Sequence, residues 1–201
     1  MTSPKGDVLV LLGGSGVGKS TMARYCAILW PAKRYIDVGT VREVLRADYP
    51  ELELSTYGVW RLAGDTPTPA HLIKGFEKYS GLLWPTLVRI MKRTATEQNN
   101  LVLEGAMMSP KLLSELEIEG LRVHTRMLHV ADPPEHLARV KSSLKPGSTQ
   151  EKRLVDSFPL IRALQDYLEE ECTARGIPVI ENKIFEETQK AILHSLPSTV
   201  D

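Results

Sequence analysis

Residues 9 to 23 read LVLLGGSGVGKSTMA, an apolar run that breaks into glycines and ends in a lysine and two hydroxyls. Within it Gly13, Gly14, Ser15, Gly16, Val17, Gly18, Lys19 and Ser20 fit the spacing G-x-x-x-x-G-K-[ST], and Thr21 follows directly. Positions without a Cβ let successive backbone N–H groups turn inward around a polyphosphate. Lys19 can then reach the outer phosphates and Ser20 can ligate Mg²⁺, while a helix starting near Gly18 adds its unpaired donors and the positive end of its dipole. A plain turn between a strand and a helix needs fewer glycines and no Lys-Ser pair at a fixed offset.

Further along, charged side chains stand where such a loop would need help. Asp37 ends an apolar segment, where a carboxylate can take the proton of an attacking hydroxyl; an aspartate there can equally cap the helix expected from about Thr40. Arg42 and Arg46, one helical turn apart, share a face that can hold an anionic group, or can pair with Glu43 between them, the reading that suits Arg46 better. Glu104 stands in LVLEG, where an acid after three apolar residues can hold a water on Mg²⁺ or orient an acceptor; Gly105 beside it permits a close backbone approach. Arg139, Lys141 and Lys145 flank a Pro-Gly stretch, and Arg139 is the first candidate for stabilising charge on a phosphoryl group in transfer. The histidines at 71, 124, 129, 136 and 194 lack metal-ligand spacing and read as structural. Lys74, Lys78, Arg89, Lys92 and Arg93 give one helix a basic face, solvated or following a phosphate backbone.

These residues need elements to carry them. Val8 to Leu12 are five consecutive apolar residues without polar alternation, which suits the buried centre of a parallel sheet. Further strands are expected at 34–38, 100–105, 123–130 and 177–182, each followed by a helical segment, so the chain reads as α/β with a five-stranded parallel sheet wound on both faces. Ligands then sit at the carboxyl ends of the strands. The longest insertion, about residues 40–98, includes a helix from about Ala70 to Glu97 and is placed as a helical cap over the substrate; the polar stretch from about 139 to 152 is placed as a short lid.

Composition narrows the remaining classes. At 201 residues the chain suits one domain, and its 25 basic and 25 acidic side chains leave no net cationic field for nucleic acid or an anionic membrane. Cys26 and Cys172 fit buried thiols in a reduced compartment, and no apolar run is long enough to span a membrane, so a cytoplasmic location is expected. Nothing in the sequence fixes an oligomeric state.

Beyond the glycine loop, DVGTVREVLR (37–46), LSTYGVWRL (54–62), LVLEGAMMSP (101–110), EHLARV (135–140), FPLIRALQDYL (158–168) and IPVIEN (177–182) together resemble 2-phosphoglycerate kinase and related P-loop kinases. The blocks occur in the same order and cover most of the chain. The resemblance implies a three-layer nucleoside-monophosphate-kinase-like fold, ATP as phosphoryl donor with Mg²⁺, and a small acceptor bearing a hydroxyl. It matches the roles read above for Lys19, Asp37, Arg42, Glu104 and Arg139. The chain departs from the pattern where Ser143 stands in place of a second arginine four residues after Arg139, where Ile36 precedes Asp37 in place of a small hydroxyl residue, and in lacking the family's N-terminal extension. The chain is also similar in its compact form to short viral kinases acting on hydroxymethyluracil in DNA, which would make the polymer the acceptor and a host cytoplasm the setting. A nucleotide-binding ATPase or switch is the third expectation; the lack of an N-K-x-D motif disfavours a GTPase.

Overall fold

The strand that carries the glycine loop is the most enclosed part of the molecule. In the computed structural model, which describes residues 6–142 and 144–197, β1 (Gly6–Leu12) is buried along its whole length. It lies at the centre of a five-stranded sheet of order β2-β3-β1-β4-β5, with β2 at Arg34–Asp37, β3 at Asn100–Glu104, β4 at Leu121–His129 and β5 at Val179–Glu181. Every pairing is parallel. A parallel strand needs cover on both faces, and alternate residues of β1 supply two separate cores. Leu9 and Leu11 pack with Met22, Ala23 and Cys26 of α1 (Lys19–Leu29) and Ile192 of α8 (Phe185–His194). Val8, Val10 and Leu12 pack with Phe76, Tyr79, Leu83 and Leu87 of α3 (Pro69–Glu97) and Leu164 and Leu168 of α7 (Phe158–Ala174). The three-layer α/β architecture is the one expected.

Strand and helix limits shift slightly from the expected ones. Helix α2 (Val38–Leu45) begins directly after β2 rather than near Thr40, because Asp37 caps it and leaves no connecting residue. The polar stretch after α5 (Pro133–Ser142) becomes helical again at α6 (Thr149–Asp156), capped by Ser148, whose hydroxyl accepts from the Glu151 N–H at 3.1 Å. A short α4 (Pro110–Ser114) separates β3 from β4. The 29-residue α3 carries Pro85 in its interior and is capped by Thr68. At the amino end of the sheet Asp7 accepts two bonds from Arg122, at 2.8 and 3.0 Å, and lies 2.7 Å from His124 Nε2, tying β1 to β4. Both thiols are free and buried, and burial pushes Cys26 up to about 11 and Cys172 to about 12. Among the described residues no helix is long and apolar enough to cross a membrane.

Candidate active site

The glycine loop leaves the carboxyl end of β1 and feeds α1 through Gly18, whose φ of 87° is left-handed. Gly16 is required by space as well as by its φ of 83°, since a Cβ there would lie 2.4 Å from Val140 Cγ2. No side chain caps α1 and no acid sits in its first turn, so its leading N–H groups are left for an anion. Lys19 is almost enclosed, at 8% exposure, and its ammonium donates to the Gly14 carbonyl at 2.7 Å. Burial holds its pKa below the ordinary lysine value, while the carboxylates of Glu104 and Asp37 oppose that shift.

Those two carboxylates are neighbours because of strand register. Asp37 ends β2, Glu104 ends β3, and the two pair directly across the parallel ladder. Asp37 caps α2: Oδ1 accepts from the Gly39 N–H at 2.8 Å and Oδ2 from the Thr40 hydroxyl at 3.3 Å, and its side chain also lines a pocket. Glu104 is 2% exposed and accepts from the Tyr35 hydroxyl at 3.0 Å. Tyr35 lies two residues before Asp37 and therefore on the same face of β2. Burial and then the Glu104 charge push its phenol up to about 12. The close approach expected at Gly105 is to α2, where an added Cβ would meet Val38 at 2.7 Å.

Lys19, Ser20, Asp37, Arg42 and Glu104 all line one pocket of about 180 Å³, with Thr56 of the insertion and Tyr79 of α3 forming its far wall. Tyr79 holds that wall, donating to the carbonyls of Leu52 at 3.0 Å and Leu54 at 3.3 Å. Arg42 reaches the pocket and also bonds Glu43, Nε to Oε1 at 3.1 Å; Arg46 pairs with Glu43 as well. Thr21 is exposed on α1.

Arg139 is placed differently from the expectation. It does not line this pocket: Nη1 donates to the Asn182 carbonyl at 2.7 Å, and the guanidinium pairs with Glu135 one turn back on α5. Lys141 and Lys145 are exposed, and Ser143 lies outside the described residues. The basic face of α3 is partly engaged, Lys78 with the Leu62 carbonyl at 2.8 Å and Arg93 with Glu97 at 2.7 Å. Sequence reasoning missed Tyr35, Thr56 and Tyr79. The i, i+2 spacing to Asp37 was a signal for Tyr35; the other two meet the loop only through the fold. Among the described residues no group of three or more His, Cys, Asp or Glu could hold a metal by itself. A hydroxyl and carboxylates around a phosphate suit Mg²⁺, which keeps several waters and takes few protein ligands.

No family model matches the chain. It is 31% identical over 192 residues to a 2-phosphoglycerate kinase of Methanocaldococcus jannaschii, covering 92% of this chain and 62% of that one. A 2-phosphoglycerate kinase of Pyrococcus horikoshii is 28% identical over 198 residues, covering 96% and 65%. The chain thus spans a little under two thirds of the length of these curated relatives. Among solved structures, a gluconokinase from Sinorhizobium meliloti superposes with a TM-score of 0.55 at 15% identity, covering 96% of this chain and 92% of that one. A shikimate kinase from Acinetobacter baumannii in complex with shikimate gives 0.52 at 14% identity, covering 98% and 97%. With the glycine loop, the parallel sheet and these alignments together, the chain is homologous over more than nine tenths of its length to the 2-phosphoglycerate kinases and has a P-loop kinase fold.

Proposed function

We propose that this chain transfers the γ-phosphoryl group of ATP to the hydroxyl of a small phosphorylated metabolite, with 2-phosphoglycerate, named for its relatives, as the first acceptor to try. The observation that carries the reading is the convergence of Lys19, Ser20, Asp37, Arg42 and Glu104 on one pocket at the carboxyl ends of β1, β2 and β3. At about 180 Å³ the pocket lies below the roughly 300–1,000 Å³ of drug-sized sites, which suits a compact acceptor.

In this reading the loop N–H groups and the start of α1 hold the β-phosphate, and the Lys19 ammonium turns from the Gly14 carbonyl to the β/γ oxygens. Arg42 fixes the anionic group of the acceptor. That places a hydroxyl near Asp37, which accepts its proton as the oxygen bonds to phosphorus and the ADP oxygen leaves. Ser20 through its hydroxyl and Glu104 through a water would hold Mg²⁺, and the ion would supply charge neutralisation at the β/γ oxygens. Tyr35 keeps the Glu104 carboxylate aimed at the pocket.

The test offers ATP labelled at the γ-phosphate with a panel of phosphorylated hydroxy acids and, in parallel, with DNA containing hydroxymethyluracil. Label in a metabolite is expected. Label in the DNA, or only as free phosphate, overturns the metabolite reading in favour of a DNA kinase or an ATPase respectively.

A further inference from the structure

Two buried side chains that take no part in the steps above hold the glycine loop by its carbonyls. His136 of α5 has no solvent exposure, and its Nε2 lies 2.7 Å from the Ser15 carbonyl. Asn182, just beyond β5, is 4% exposed and donates from Nδ2 to the Val17 carbonyl at 2.8 Å. A carbonyl only accepts, so both side chains must be donors. For His136 the tautomer is set by its other neighbour: Arg162 Nη1, which donates to the Val130 carbonyl at 2.7 Å, stands 3.4 Å from Nδ1. A guanidinium has no lone pair to offer, so the ring proton belongs on Nε2. The ring also packs edge to face on Phe158, centroids 5.4 Å apart.

The effect on the loop follows from the planar trans peptide, whose C=O and N–H point in opposite directions. Drawing the Ser15 oxygen outward turns the Gly16 N–H inward; drawing the Val17 oxygen outward does the same for the Gly18 N–H. We propose that His136 and Asn182 are positioning residues for the nucleotide, clamping two peptide planes so that the Gly16 and Gly18 N–H groups face the phosphates before they arrive. The inference rests on the reading that this loop binds ATP.

The groups around His136 make one half of the clamp sensitive to acid. Arg162 on α7, Lys19 on α1 and Arg139 on its own helix face it; the first is accompanied by Asp166 at 3.6 Å and the last by Glu135. Burial, then these cations, hold its pKa below the usual histidine value despite the bond to Ser15. A second ring proton, on Nδ1, would confront the Arg162 guanidinium, so the ring leaves its place as pH falls and holds it at neutral pH.

Two substitutions and two readouts test the clamp. His136→Asn keeps a polar side chain too short to reach Ser15; His136→Gln puts an amide nitrogen near the Nε2 position and does not titrate. ATP affinity is measured by calorimetry without any acceptor, and the backbone order of Gly16 and Gly18 by NMR relaxation on the nucleotide-free protein. H136N is expected to raise the ATP Kd about tenfold and to lower the order of the Gly16 amide more than that of Gly18, which Asn182 still holds. H136Q is expected to restore both and to remove the loss of affinity that the wild type shows as pH falls from about 8 to 5. If H136N does not fold, Asn182→Ala removes the other donor and is read in the same way. Wild-type Kd and wild-type amide order in the variants would overturn the proposal. A wild type that takes up no ATP, while the variants still lose amide order, would sink the nucleotide reading and leave the clamp standing.

Discussion

Lys19 is a buried cation whose one hydrogen-bond acceptor among the described residues is a carbonyl of its own loop, so its removal costs the apolar cores nothing. Lys19→Ala should fold with an unchanged thermal midpoint and lose phosphoryl transfer by about 10³-fold or more, since it is a charge the transition state needs; the pair of measurements is a melting curve and a labelled-ATP assay. Asp37 allows a cleaner separation, because the carboxylate that is read as the base is also an N-cap. Asparagine caps as well as aspartate, so Asp37→Asn removes the charge and keeps the helix start. Turnover should drop by about 10² to 10⁴, with ATP affinity and melting temperature unchanged. Equal losses in binding and turnover would mark it as a cap alone. The same residue shows what was legible beforehand. Both readings of it follow from standing between a strand and a helix, which local sequence displays. The Arg139 position was not legible, because its bond to the Asn182 carbonyl is set by where the end of β5 meets α5; only Glu135, one turn back on the same helix, was within reach of local sequence.

At the scale of elements, the glycine loop and β1 were readable because each is a contiguous pattern: an apolar run buried on both faces, then a fixed spacing. The pairing of Asp37 with Glu104 was not, since register between β2 and β3 is decided across an insertion of more than sixty residues. Two joints between elements have measurable consequences. Tyr79 of α3 holds the carbonyls of Leu52 and Leu54, so Tyr79→Phe should cost about 1 kcal/mol in urea unfolding and raise the acceptor KM while leaving ATP affinity as it was. At the opposite end of the sheet, burial would raise the Asp7 carboxyl, but Arg122 and His124 outweigh it and the pKa lies below the ordinary aspartate value. A depressed carboxylate stabilises the fold above its unfolded pKa, near 4, and that contribution is lost as pH falls through the folded value. Asp7→Asn should therefore cost about 1–2 kcal/mol at neutral pH, and the deficit should shrink toward zero in acid when urea midpoints are compared across pH.

For the whole molecule, equal numbers of acidic and basic side chains and an α3 whose cations are partly paired point to an acceptor that displaces few ions. Binding across a DNA chain at Z phosphates carries a log–log salt slope of roughly −0.7Z. The acceptor KM should instead change little between low and moderate salt, and Lys74→Gln with Lys78→Gln should leave it unaltered; a steep slope flattened by that double substitution would mean a polymer substrate. One more consequence lies in α3, which at 29 residues is about 44 Å long and serves two masters. Its first half holds the pocket wall through Tyr79, while its last turn is moored to the sheet through Glu97 and Arg34. Pro85 lies between the two and has no N–H to give the Gly81 carbonyl one turn earlier, so a rung of the ladder is missing at the midpoint. The pocket wall and the Arg34 end of β2 are thus joined by one helix whose ladder is interrupted midway, while the side chains of its first half stay packed against β1.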